Sequence, residues 1–181
     1  MLKRWQSLLL GLSGSLLVVS AQAPGFAAQR VALRYGLFER SVAVSDLREY
    51  AATQKASPDL KRLLRPIKPA EREVIREALQ TKVPVNVVTV DRLLRTPSGK
   101  KILADVAEVT VRRDDAGVQA ARAGLVVGSV LPGGLGVLNF LEAYPSHTIT
   151  LSLPRALEFA RENQRLLRGN AGGLLDQAPG N

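Results

Sequence analysis

Proline punctuates this chain at the points where helices can begin. Ser57-Pro58 and Thr96-Pro97 each place a hydroxyl residue ahead of a proline, and Pro69 and Pro154 each precede a helical run of apolar residues. Proline suits the first position of a helix, where its missing N–H would lack a partner anyway, and a preceding Ser or Thr can cap the exposed donors. The ring also stops a helix arriving from upstream. The chain is thereby divided into a series of short amphipathic helices.

The helical pattern can be followed element by element. Ser45 is the expected cap of "DLREYAAT", with Asp46 in the first turn and Leu47, Tyr50 and Ala51 on one side. After Ser57, the run from 58 to 67 turns Leu60, Leu63, Leu64 and Ile67 inward. From Pro69 to residue 83, Val74, Ile75, Ala78 and Leu79 form the apolar face, and Pro84 ends the run. Asn86 can cap "VVTVDRLLR", and from Pro97 onwards Ile102, Val106 and Val109 point inward. "RRDDAG" (112 to 117) reads as a charged loop. "VQAARAGLVVGSVL" (118 to 131) is apolar nearly all round and predicts a buried helix. Pro132-Gly133-Gly134 breaks it, and 135 to 144 forms another short helix, so 123 to 141 reads as two core helices in place of one membrane span. A last helix from Pro154 carries Ala156, Leu157, Ala160 and Leu167.

Two segments alternate instead. In "RVALRYGLFERSVAV" (30 to 44), Val31, Leu33 and Tyr35 share a face, as do Phe38, Arg40, Val42 and Val44 beyond a turn at Gly36-Leu37, which predicts a β-hairpin. In 147 to 153, Ile149, Leu151 and Leu153 point one way and Thr148, Thr150 and Ser152 the other, a half-buried strand. The expected fold is mainly α (α+β): a helical domain with a small antiparallel sheet built from the N-terminal hairpin and the late strand. Its 181 residues suit one domain.

The N-terminus has the order of an export signal. Lys3 and Arg4 precede the apolar run 7 to 20, and small residues follow from 21 to 28. Cleavage is expected after Ala27 or Ala28, since Pro24 disfavours a cut after Ala23. The resulting organisation is a signal peptide at 1–28, a helical domain at 29–167 and a disordered tail at 168–181. Removing Lys3 and Arg4 lowers the net charge of +9 by two, to +7. An exported protein this basic is drawn to anionic lipid, polysaccharide or an acidic partner, and export argues against nucleic acid. The expected location is periplasm, thylakoid lumen or extracellular space.

Composition narrows the chemistry. Hydrophobic residues make up 46% but aromatic residues only 4%, so the core is Leu, Val and Ala. With no cysteine, disulfides, thiolate metal sites and cysteine nucleophiles are excluded. With one histidine, so is a His-rich metal site. No cofactor is expected.

The segments "VALRYGLFERSVAVSDLREYAAT", "SPDLKRLL", "VTVDRLLRTPSGKKIL" and "GLGVLNFLEAYPSHTITLSL", in this order, resemble a cyanobacterial domain of unknown function, number fourteen hundred. The resemblance covers about residues 29 to 167. It implies a domain that usually follows a signal peptide, precedes an α/β-hydrolase domain and takes the hydrolase label from that neighbour. A hydrolase of that fold needs a G-x-S-x-G elbow. The chain has none; "GLSGS" (11 to 15) has the wrong spacing. No catalytic residue carries over.

Ser146-His147 is the one pair that invites a catalytic reading. Neighbours entering a strand face opposite ways, and a nucleophile also needs an orienting acid and an oxyanion site. The plainer reading makes Ser146 a turn residue and His147 the polar start of a strand. Asp114-Asp115, between arginines, reads as a salt-bridged loop and helix cap. "PGGLG" (132 to 136) lacks the strand and G-K-[ST] ending of a phosphate loop and reads as a helix break. Two basic surfaces remain: Lys61, Arg65 and Lys68 opposite the leucines of one helix, and Arg92, Arg95, Lys100 and Lys101 further on. They read as solvated helix faces or as an anionic docking patch. The expected function is an exported, non-catalytic accessory or binding domain that caps or positions an α/β-hydrolase partner or takes an apolar ligand between its helices. The alternatives are a hydrolase, by family label, and a peripheral binder of anionic membrane.

Overall fold

The structure, a computed structural model, describes residues 28–162. The segment read as an export signal, apart from Ala28, and the expected C-terminal tail, together with Leu167, lie outside the described residues. Among the described residues eight helices enclose a three-stranded sheet.

Strand β1 (Arg30–Tyr35) and β2 (Phe38–Ala43) form the expected antiparallel hairpin, with Val31 opposite Val42 and Tyr35 opposite Phe38. Its turn passes through Gly36 at φ +59°, a left-handed conformation that glycine adopts without penalty. The late strand β5 (Thr148–Ser152) lies on the other side of β1 but runs parallel to it, Leu33 beside Leu151. The sheet is thus mixed, which corrects the all-antiparallel expectation. The physical reason is an anchor at the strand starts: the Gln29 and Arg30 N–H groups donate to the His147 carbonyl at 3.1 and 3.3 Å. The intervening helices supply the long crossover that a parallel pair needs.

The chain then runs through α1 (Val44–Thr53), α2 (Pro58–Leu64) and α3 (Pro69–Gln80). A two-residue strand β3 (Lys82–Val83) follows, then α4 (Val87–Arg95), α5 (Pro97–Val109) and α6 (Asp115–Val130). After β4 (Leu135–Gly136) come α7 (Val137–Ala143), β5 and α8 (Leu153–Glu162). Four caps act as expected. Ser57 Oγ accepts from Leu60 N–H at 3.3 Å, Asn86 Oδ1 from Val88 N–H at 2.8 Å, Thr96 Oγ1 from Gly99 N–H at 3.1 Å and Asp114 Oδ1 from Gly117 N–H at 2.9 Å.

Three local expectations change. Ser45 does not cap α1; the helix starts two residues earlier, at Val44, and Ser45 is exposed in its first turn. Strand β2 feeds straight into the helix, and the Val44 N–H donates to the Gln29 carbonyl at 3.0 Å, so the sheet satisfies a donor that a side-chain cap would otherwise take. Helix α3 stops at Gln80, because the residue before Pro84 is pushed towards extended backbone. Lys82 and Val83 then pair antiparallel with Gly136 and Leu135. Finally, α6 is not buried all round. Its inner face is a row of small residues, Gly117, Ala121, Gly124 and Gly128, while Val127 and Val130 face solvent. The small row lets α7 lie close: a Cβ on Gly128 would sit 3.1 Å from the Asn139 carbonyl oxygen. No described helix is long and apolar enough to cross a membrane.

Buried apolar residues form two separate clusters. The larger joins the sheet to α1, α2 and α7, with Val31, Val42, Leu47, Leu60, Leu141 and Ile149 among its members. The smaller holds Val90, Leu94, Leu103 and Ala121 between α4, α5 and α6.

Candidate functional site

Among the described residues the helix faces expected to be apolar point inward, but they do not all meet. Between the two buried clusters lies a partly open chamber of about 380 Å³. The sheet contributes Val31, Leu33 and Leu151 to its wall; α2 contributes Leu60, Leu63 and Leu64; α3 contributes Val74, Ile75, Ala78 and Leu79. On the far side stand Leu93 and Leu94 of α4, Ile102, Val106 and Val109 of α5, and Ala156, Leu157 and Phe159 of α8. Among the described residues, Tyr50 and Thr110 are the only lining residues whose side chains carry a polar atom. The Thr110 hydroxyl already donates to the Ala107 carbonyl at 3.2 Å.

Helix α5 shows how the space arises. Leu103 is buried in the smaller cluster and Ala107 is buried one turn on, whereas Ile102, Val106 and Val109 are only half-buried and turn towards the chamber. One helix thus serves two apolar surfaces, and its Leu, Val and Ile side chains are too short to close the second. A sealed empty cavity of this size would cost about 9 kcal/mol at about 24 cal/mol per Å³, as much as the whole stability of many domains. A volume of this kind falls within the range of small-molecule pockets.

Ser146 and His147 are not brought into a catalytic relation. The Ser146 hydroxyl donates to the Thr148 carbonyl at 2.8 Å, and His147 is exposed, with its carbonyl holding the N-terminal strand. Asp114 plays the expected double part. Its carboxyl is held below the usual carboxylate range by the Gly117 N–H, with the Arg112 guanidinium adding to the effect. Arg112 pairs with it at 3.3 Å. Pro132-Gly133-Gly134 breaks the helix, and the buried Asn139 pins the break by donating to the Pro132 and Gly134 carbonyls at 3.2 and 2.6 Å. Nothing in the sequence pattern singled out Asn139; its signal is a lone amide on the apolar face of a helix.

The seven residues of the expected anionic docking patch are all exposed, and they fall into two groups. Lys61, Arg65 and Lys68 belong to α2 and its exit, beside β2. Arg92, Arg95, Lys100 and Lys101 belong to the paired helices α4 and α5. Arg95 is drawn to Asp91 at 2.9 Å and Lys101 to Asp105 at 2.9 Å, which leaves five of the seven without an ion pair among the described residues. A second, polar cleft lies where Arg34, Arg113 and Arg155 approach Glu108, Val111 and Ser152. Among the described residues no group of three or more His, Asp or Glu is arranged to hold a metal ion.

Comparison with known proteins gives one match. The family model described as "Alpha/beta hydrolase of unknown function (DUF1400)" fits residues 27–152, from just ahead of the hairpin to the end of β5. No curated protein and no solved structure matches the chain.

Proposed function

The chain belongs to that hydrolase-labelled family of unknown function, and on this premise we propose that its helical domain is a non-catalytic binding module that holds an apolar ligand in the chamber. The observation that carries this reading is the chamber itself: about 380 Å³, bounded by aliphatic side chains from the sheet and from all eight described helices. Its walls offer a ligand apolar contact and no acid–base pair. The Ser146 hydroxyl is spent on the Thr148 carbonyl, and His147 takes part through its backbone carbonyl, which holds Gln29 and Arg30. The absence of a G-x-S-x-G segment supports the same reading. In this account the module serves an α/β-hydrolase by presenting or sequestering its apolar substrate, and the module itself leaves a serine-directed fluorophosphonate unreacted.

Export is part of the proposal. The charged, apolar and small-residue order of the first 28 residues supports it. Ala28 is 3% exposed within the larger cluster, so cleavage after Ala27 preserves a packed residue that cleavage after Ala28 would remove.

The test is titration with the apolar fluorophore N-phenyl-1-naphthylamine. The protein should bind it saturably. Ala78→Phe and Ala156→Phe place a ring in the chamber from half-buried wall positions, and each should weaken binding at least about tenfold while circular dichroism is unchanged. Absence of saturable binding by the parent protein, or equal binding by both filled variants, overturns the proposal.

A further inference from the structure

The chamber wall does not stop at the helices. Along β1 the residues on the chamber face are Val31, Leu33 and Tyr35; across from them on β2 stand Val42, Arg40 and Phe38. Val31 and Leu33 line the chamber. Tyr35 and Phe38 continue the same face past the helices into solvent, where they are 54% and 74% exposed, and Leu37 at the turn is fully exposed. Three large apolar side chains therefore project from one hairpin tip, with nothing within 4 Å of where a Gly36 side chain would sit. Val111, also exposed and held at φ +56°, shares the neighbouring cleft with Arg34 and Arg113. Of the arginines here, Arg34 is paired with Glu39 at 3.0 Å and Arg155 with Glu158 at 3.0 Å, while Arg40 and Arg113 have no ion pair among the described residues.

We infer that this hairpin tip inserts Tyr35, Leu37 and Phe38 into a lipid surface and that the apolar strip behind it leads a lipid-derived ligand into the chamber; the second clause rests on the proposed function. A lipid surface fits the tip better than a protein does. A stable protein interface needs about 800 Å² from each partner, packed to a continuous face, and three side chains on a two-stranded projection supply far less. Insertion into the headgroup zone needs only a few apolar and aromatic side chains with cations beside them. The remaining arrangement agrees. The N-terminal end of the described chain lies away from the tip, since Gln29 is tied to His147 at the opposite end of the sheet.

The absence of cysteine makes the test specific, because Leu37→Cys and Arg65→Cys each create a unique thiol in the full chain for an environment-sensitive nitrobenzoxadiazole label. On addition of phosphatidylcholine–phosphatidylglycerol vesicles, the label at position 37 should shift to the blue, brighten at least about twofold and be quenched by nitroxide lipid. The label at position 65 should not. Phe38→Ser together with Tyr35→Ser should abolish the response at 37 and leave solution binding of N-phenyl-1-naphthylamine unchanged. A silent label at 37, or a response at 65 alone, overturns the inference, the latter in favour of docking through the helical lysines and arginines. A responsive label at 37 in a protein that binds no naphthylamine upholds the docking and refutes the chamber reading separately.

Discussion

Among the described residues, Tyr144 is the one whose buried side-chain polar atom finds no hydrogen-bond partner. Its ring is 2% exposed and meets Phe140 edge to face at 5.6 Å, so the side chain is held by apolar contact alone. A hydroxyl taken from water without replacement costs about 1–3 kcal/mol, and its removal with the ring kept in place returns part of that cost. Tyr144→Phe should accordingly leave the unfolding free energy read from urea denaturation unchanged or raise it, by up to about 1–2 kcal/mol. A loss of more than 1 kcal/mol would show that the hydroxyl has a partner. Asn139 is the opposite case: its amide serves two carbonyls, and Asn139→Leu strands both. That substitution should lower stability by about 1–3 kcal/mol in the same measurement.

At the scale of elements, α6 and α7 approach closely through glycines. Gly124 would place a Cβ 2.8 Å from the Phe140 ring, which can turn aside, but Gly128 faces the backbone of Asn139, which cannot. Gly128→Leu should therefore cost more than about 3 kcal/mol, by overpacking against main chain, while Gly128→Ala should cost a fraction of that, read from denaturation midpoints. Where the helices start is far more legible in the sequence than how they pack. Ser57, Asn86, Thr96 and Asp114 act within three residues of themselves, so their roles are visible in a local string. Ser45 failed as a cap because the competing donor arrangement came from β2 and Gln29, a contact made through the sheet. The small-residue face of α6 was hidden by counting apolar residues without regard to size, and the parallel pairing of β5 depends on crossover geometry that alternation cannot report. The chamber was invisible for a related reason. Periodicity says which way Ile102 or Val74 points, but not whether the opposing wall comes close enough to touch.

For the whole molecule, the decisive arrangement is that β1 lies between β2, its immediate successor, and β5, the last strand described. Shortening the protein from its C-terminal side to remove residues from Thr148 onward would leave the Val31 and Leu33 edge of β1 unpaired and take away Ile149 and Leu153 from the larger cluster. Such a truncation should show no cooperative unfolding transition and should expose its backbone amides to hydrogen exchange throughout. The same arrangement sets an order of events during synthesis. The hairpin is made first and can close alone in microseconds, but a lone two-stranded ribbon is marginal in water. It waits for a neighbour that the ribosome supplies only when nearly every helix has already emerged. Topologies of this kind, rich in contacts distant along the chain, fold slowly. During that wait, the strand edge and its apolar tip are open to any chaperone or translocation machinery that recognises extended apolar chain, and the nascent polypeptide remains threadable until its last strand arrives.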